Sequence, residues 1–252
     1  MIFPSLNRVK AIAPGYDIVP VYMEILSDVR TPISVLKALK QVSSHTYLLE
    51  SADNSNHWGR YSFLGYDPKI ELFCKNHKMT VKDGTTRTFE CSDPAVEIRN
   101  ILSQYKSPRL EELPTFTGGF VGYFACEYIR YIEPTLDFPT PDDDSAMVND
   151  VDLMLFDKVI AFDHYKNKIY LIANISTRDL ERNYNKAELE LKTLADLVVN
   201  GKEADVPKGV LKTEFTSEFT KDEFEAVVKK TQHYIKAVSY THLRAHETLR
   251  YL

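Results

Sequence analysis

The run "KIELFCKNHKMTVKDGTTRTFE", Lys69 to Glu90, narrows the fold more than any other stretch of this chain. It holds three short β-forming runs separated by two polar turns, Lys75 to Lys78 and Asp83-Gly84, which is the pattern of an antiparallel meander. Turns this short join only antiparallel neighbours, so a sheet must grow here by local hairpins. Two further runs, "LMLFDKVIAFDHY" and "KIYLIANIS", meet around Lys166-Asn167-Lys168 and predict a long hairpin. Helical signals alternate with these strands. "VPVYMEILSD" reads as a half-buried strand, after which Thr31-Pro32 opens a helix with Val35, Leu36 and Leu39 on one face. A strand ending at Leu49 follows. Asp93-Pro94 caps a helix carrying Val96, Ile98, Ile101 and Leu102. "RDLERNYNKAELELKTLADLVV" predicts a helix with Leu189, Leu191, Leu194 and Leu197 to one side, and Thr220 with Glu223 forms a capping box for a helix lined by Phe224, Val227, Val228, Thr231 and Ile235. The expected class is α+β, with layered antiparallel β-sheets covered by helices rather than a doubly wound parallel sheet.

Composition limits the functional classes. The 252 residues are 44% hydrophobic and 12% aromatic, enough for one large core or two small ones. The net charge is −5 and the basic residues lie among acidic ones, so no cationic stripe tracks a phosphate backbone, and a nucleic-acid partner is not expected. Cys74, Cys91 and Cys126 form no C-x-x-C pair and predict reduced, buried thiols instead of a disulfide or zinc framework. "MIFPSLNRVKAIAPGYD" has no long apolar run, so neither a signal peptide nor a membrane span is read there, and a cytoplasmic location is expected.

No G-x-G-x-x-G, Walker loop or H-E-x-x-H occurs. "FTGGFVGYF", Phe116 to Phe124, lacks the lysine and the helix-opening Ser or Thr of a phosphate loop, and predicts close backbone approach beside a sheet. His45, His57, His77, His164 and His233 show no metal spacing and read as surface or turn residues. Asp142-Asp143-Asp144 reads as a solvated loop, and Asn200 to Phe219 as a linker.

One stretch asks for more than a structural explanation. In "LLESADNSNHWGRYSFLGYDP", Leu48 to Pro68, an apolar strand ends on Glu50 and Ser51, and Arg60-Tyr61 opens the next strand. The structural reading is that Glu50 and Ser51 cap a strand end and that Arg60 pairs with Glu50.

Together with "FTGGFVGYFACEYIRYIEP" and "FTKDEFEAVVKKTQHYIKA", in that order and spacing, this stretch resembles the front half of component I of anthranilate synthase, from about Val19 to Ala237. The resemblance implies a partial fold of that type, and an intact parent that converts chorismate to anthranilate with Mg2+, using ammonia from a glutamine amidotransferase partner, under feedback inhibition by tryptophan. It also implies a tryptophan site made of Leu49, Glu50, Ser51, Arg60 and Tyr61, with Glu50 on the ammonium, Ser51 hydrogen-bonding the ligand or its loop, Leu49 and Tyr61 facing the ring, and the Arg60-Tyr61 segment flanking the pocket. No catalytic residue and no metal ligand carries over, because the family holds these in its C-terminal half, and no anthranilate is expected from this segment alone. The implied division is a regulatory domain over 1–200, a linker and first helix over 201–237, and a non-native, adaptor-like tail over 238–252. Component I of aminodeoxychorismate synthase and a stand-alone amino-acid-binding module remain alternatives, although the L-L-E-S spelling favours the anthranilate branch.

Overall fold

The computed structural model describes residues 1–28, 30–50, 59–133, 135, 148–205, 209–210, 212 and 216–237. Two compact units result, 1–205 and 206–252. The first opens with a short helix α1 (Leu6–Ile12), which sequence reading did not find, and strand β1 (Ile18–Leu26). Helix α2 (Pro32–Leu39) starts where Thr31-Pro32 predicted, with the Thr31 hydroxyl accepting from the Ser34 N–H at 3.2 Å. Strands β2 (Thr46–Leu49) and β3 (Tyr61–Tyr66) precede the meander β4 (Ile70–Lys75), β5 (Lys78–Lys82) and β6 (Thr86–Glu90). Asn76 and His77 take positive φ in the first turn and Gly84 in the second, as tight hairpins require. Helix α3 (Pro94–Leu102) is capped by the Asp93 carboxylate, which accepts from the Ala95 N–H at 2.9 Å.

Strand β7 (Gly119–Phe124) comes from the glycine-rich run, followed by a 3-10 turn and the four-residue helix α4 (Ile129–Ile132). The glycines allow close backbone approach, as expected: a Cβ on Gly122 would drive into the Asp152 carbonyl. The predicted run "LMLFDKVIAFDHY" is not one strand. It breaks at Asp157 into β8 (Val151–Phe156) and β9 (Lys158–Asp163), which lie in different sheets. Strand β10 (Lys168–Ser176) and the long helix α5 (Leu180–Asn200) complete the unit.

Both five-stranded sheets are antiparallel throughout, with orders β1-β10-β9-β3-β2 and β6-β5-β4-β8-β7. One two-stranded ribbon serves both, because β3 pairs with β9 in the first sheet and their continuations β4 and β8 pair in the second. The corner is held by Asn174. Its N–H and side-chain amide donate to the Asp157 carbonyl at 2.8 and 3.1 Å, and the same amide donates to the Thr117 carbonyl at 2.7 Å.

The period-two pattern of the first sheet is buried on both faces. Val19, Val21, Leu64, Ile160, Phe162, Ile169 and Leu171 pack under α2 and α5, while Tyr22, Val159, Ala161, Tyr170 and Ile172 meet Leu110 and Leu113 on the other side. Pro20 is accommodated because β1 is an edge strand. On α5 the buried stripe is Tyr184, Ala187, Leu191, Leu194 and Val198, whereas the expected Leu189 is 66% exposed, one step off that stripe. In the second sheet Leu72, Cys74, Met79, Val81, Leu153 and Leu155 pack with Ile101 of α3. Cys74 and Cys91 are buried free thiols as expected, but Cys126 is exposed, since it sits in the 3-10 turn beyond β7 and off the core.

The second unit, described by itself, contains helix α6 (Lys221–Ala237). Its capping box forms as predicted: the Thr220 N–H and hydroxyl both donate to Glu223 Oε2 at 2.8 Å, and the Glu223 N–H donates back to Thr220 Oγ1 at 3.3 Å. Phe224, Val227, Val228 and Ile235 are exposed.

Candidate functional site

Three strand ends meet at one edge of the first sheet, and their chemistry follows from register. The β3–β9 pairing sets Tyr61 opposite Asp163 and Ser62 opposite Phe162, while β2–β3 pairing sets Leu49 opposite Phe63. Glu50 therefore follows the end of β2, Arg60 precedes β3, and His164 follows β9. Alternation then sorts the side chains by face. Leu48, Leu64 and Phe162 belong to the face packed under α2 and α5, whereas Phe63 and Ala161 belong to the other face.

On the helix-covered face the polar groups form a chain. The Ser62 hydroxyl donates to Glu50 Oε1 at 3.3 Å and lies 2.7 Å from Nε2 of His164. Ser62 is 3% exposed, although Glu50 and His164 reach the surface.

On the other face the main feature is an ion pair. Arg60 donates from Nε to Asp163 Oδ1 at 3.0 Å and from a terminal nitrogen to Oδ2 at 2.7 Å, a two-pronged geometry that fixes both groups. The Asp163 side chain is fully buried, and it also accepts from the Tyr165 and Lys166 N–H groups at 3.1 and 3.0 Å, closing the β9–β10 turn. Burial opposes ionisation of Asp163, but the Arg60 bonds and these two N–H donors outweigh it and hold the carboxyl below its ordinary range. The Arg60 guanidinium lies over the rings of Tyr61 and Tyr165, 4.8 and 5.6 Å from their centroids. Tyr61 stacks on Phe63 at 5.7 Å, and Phe63 meets Phe116 edge-on at 5.4 Å. Burial, reinforced by the Asp163 charge, pushes the Tyr61 phenol up.

Of the residues that the resemblance implied, Leu49, Glu50, Arg60 and Tyr61 all lie at this end of the sheet, and Ser51 lies outside the described residues, as do His57 and Asp142-Asp143-Asp144. They do not form one patch. Glu50 stands on the helix-covered side, whereas Tyr61 and Leu49 are on the aromatic side, with Leu49 47% exposed. The pairing of Arg60 with Glu50 that the structural reading expected is replaced by Arg60 with Asp163, because the β3–β9 register brings the buried aspartate next to the guanidinium. Asp163, Ser62 and His164 were missed as site residues. Only the alternation of "RYSFLG", which sets a serine in line with Leu64 on the core-facing side, signalled one of them.

A second concavity, of about 240 Å3, lies at the corner between the sheets and is lined by Lys69, Asp157, Lys158, Asn174, Lys186 and Glu190. Its cations have partners: Lys158 is 3.4 Å from Asp67, Lys186 is 3.5 Å from Glu190, and Lys69 lies over the Tyr105 ring. Burial raises the Asp157 carboxyl despite the two nearby lysines. Among the described residues no three His, Cys, Asp or Glu side chains converge as metal ligands, so the groups present at these two places do not fit a magnesium ion. No helix among the described residues is long and apolar enough to cross a membrane.

The sequence profile of the chorismate binding enzyme family matches residues 45–243, and the chain belongs to that family. It is 33% identical to anthranilate synthase component 1 of Acetivibrio thermocellus over 94% of this chain and 49% of the relative. It is 36% identical to the protein of the same name from Acinetobacter calcoaceticus, over 88% of this chain and 45% of the relative. A crystal structure of anthranilate synthase component I from Streptococcus pneumoniae TIGR4 aligns over 84% of this chain and 45% of its own, with 25% identity and a TM-score of 0.48. The chain spans about half the length of the curated relatives it matches.

Proposed function

We propose that this chain is the N-terminal, regulatory portion of an anthranilate synthase component I, and that the end of its first sheet binds tryptophan as an inhibitor. The intact protein, on this reading, converts chorismate to anthranilate with Mg2+ and ammonia from a glutamine amidotransferase partner, the ion being held by residues outside this segment. The observation that carries the reading is Glu50, a carboxylate at a strand end within bonding distance of a buried hydroxyl, on the opposite face of the sheet end from Leu49, Tyr61 and Phe63. An amino acid lying over the sheet end sets its ammonium against Glu50 and its ring against that surface. Arg60 plays a supporting part, since its guanidinium is committed to Asp163 and props the Tyr61 ring. Calorimetric titration of the 252-residue chain with L-tryptophan tests the reading. Glu50→Gln removes the charge but little volume, and is expected to weaken binding about ten-fold or more, as loss of a charge-assisted bond does. Unchanged affinity for this variant would remove the site from consideration.

A further inference from the structure

Ser62 occupies a position that packing alone would give to an aliphatic side chain. Its neighbours on the same face of the sheet are Leu64 in its own strand and Phe162 opposite, both in the core under α2 and α5. A buried hydroxyl costs stability unless it is hydrogen-bonded, so a serine here calls for an explanation. Its two contacts supply one. With a single proton to give, a Ser62 hydroxyl that donates to Glu50 must receive its other bond from His164, which requires the Nε2–H form of the imidazole. The order of donors is then His164 to Ser62 to Glu50. His164 is itself fixed, because its backbone N–H donates to the Arg60 carbonyl at 2.9 Å and its ring stacks on Phe162 with centroids 6.4 Å apart.

We infer that Ser62 and His164 are positioning residues that hold the Glu50 carboxylate in place to receive a ligand's ammonium group, and so set the preference of this site for an α-amino acid over its des-amino analogue. This rests on the amino-acid-binding reading of Glu50 given above and adds to it the buried relay behind the carboxylate. Neither residue touches the ligand. Ser62 is covered and His164 bonds through Ser62, so their effect must pass through the Glu50 rotamer.

The test is calorimetry on the full chain with two probes, L-tryptophan and 3-(indol-3-yl)propionate, which lacks the amine. Ser62→Ala and His164→Phe are each expected to weaken L-tryptophan about ten-fold and to leave the propionate unchanged. His164→Gln, whose side-chain amide can still donate, should keep most of the lost affinity. A structural role predicts otherwise: Ser62→Ala would then lower the unfolding temperature and affect both probes alike. A measurement without ligand stands beside this one. The imidazole nitrogen shifts of His164 should report the Nε2–H tautomer in the parent chain and lose that preference in Ser62→Ala. If Ser62→Ala and His164→Phe spare tryptophan while Glu50→Gln weakens it, the relay is wrong and the site stands. If Glu50→Gln spares it as well, or the parent chain binds neither probe, both fall.

Discussion

At the residue scale the most consequential pairing joins positions 103 apart in sequence, Arg60 and Asp163. A fully buried carboxylate is tolerated because the guanidinium and two backbone N–H groups replace its hydration. Asp163→Asn keeps the shape and removes the charge, leaving Arg60 without its counter-ion. The expected loss is about 2–3 kcal/mol at pH 7, at the low end for a buried pair because a third of the Arg60 side chain meets solvent. The sign with pH follows from the depressed carboxyl of Asp163. Its contribution is complete above the unfolded-chain value of about 3.9 and disappears as the pH falls through the lower folded-state value. Urea unfolding of parent and variant should therefore differ at neutral pH and converge in acid; a difference independent of pH would deny the ion pair this role. Little of this was legible in the sequence. The spellings "LLES" and "GRYS" mark these strand ends, but which acid meets Arg60 depends on β3 lying beside β9, a non-local pairing that no local pattern encodes.

The strands and helices themselves divide in the same way. Those written by local chemistry were legible: the meander turns, the Thr31 and Asp93 caps, and the Thr220-Glu223 box each need only residues within a few positions of one another. Elements whose limits depend on tertiary packing were not. In "LMLFDKVIAFDHY" only Asp157-Lys158 interrupts the apolar run, with no glycine or proline to mark a turn, and the Asn174 bonds to the Asp157 carbonyl show where it turns from one sheet into the other. The helices α1 and α4 are too short, at seven and four residues, to show a periodic face. Strand β7 gives a direct test at this scale. At Gly122 a side chain collides with the Asp152 carbonyl of β8, whereas at Gly84, in an open turn, a methyl group meets nothing and the cost is backbone strain alone. Gly84→Ala should thus cost about 1 kcal/mol, and Gly122→Val about 3 kcal/mol or more, with faster amide exchange along β7 and β8. Equal costs at the two sites would mean that β7 is not seated against β8 as described.

For the molecule as a whole, the bent ribbon β3–β4 with β8–β9 ties both sheets into one unit while leaving the Glu50 end of the first sheet well away from the corner. The chain covers about half the length of its relatives, and the residues at the Glu50 end of the first sheet are those through which tryptophan is proposed to act. The second sheet ends on β7, where Tyr123 and Phe124 are 42% and 51% exposed. The proposal of a tryptophan site at the strand ends is tested most directly by mapping amide shifts of the isotope-labelled chain during titration with L-tryptophan. Saturable shifts should concentrate at Leu49, Glu50, Tyr61, Ser62, Asp163 and His164, with little change in β7 or around Lys69, Asp157 and Asn174. Shifts centred on that corner cavity, or none that saturate, would contradict the account.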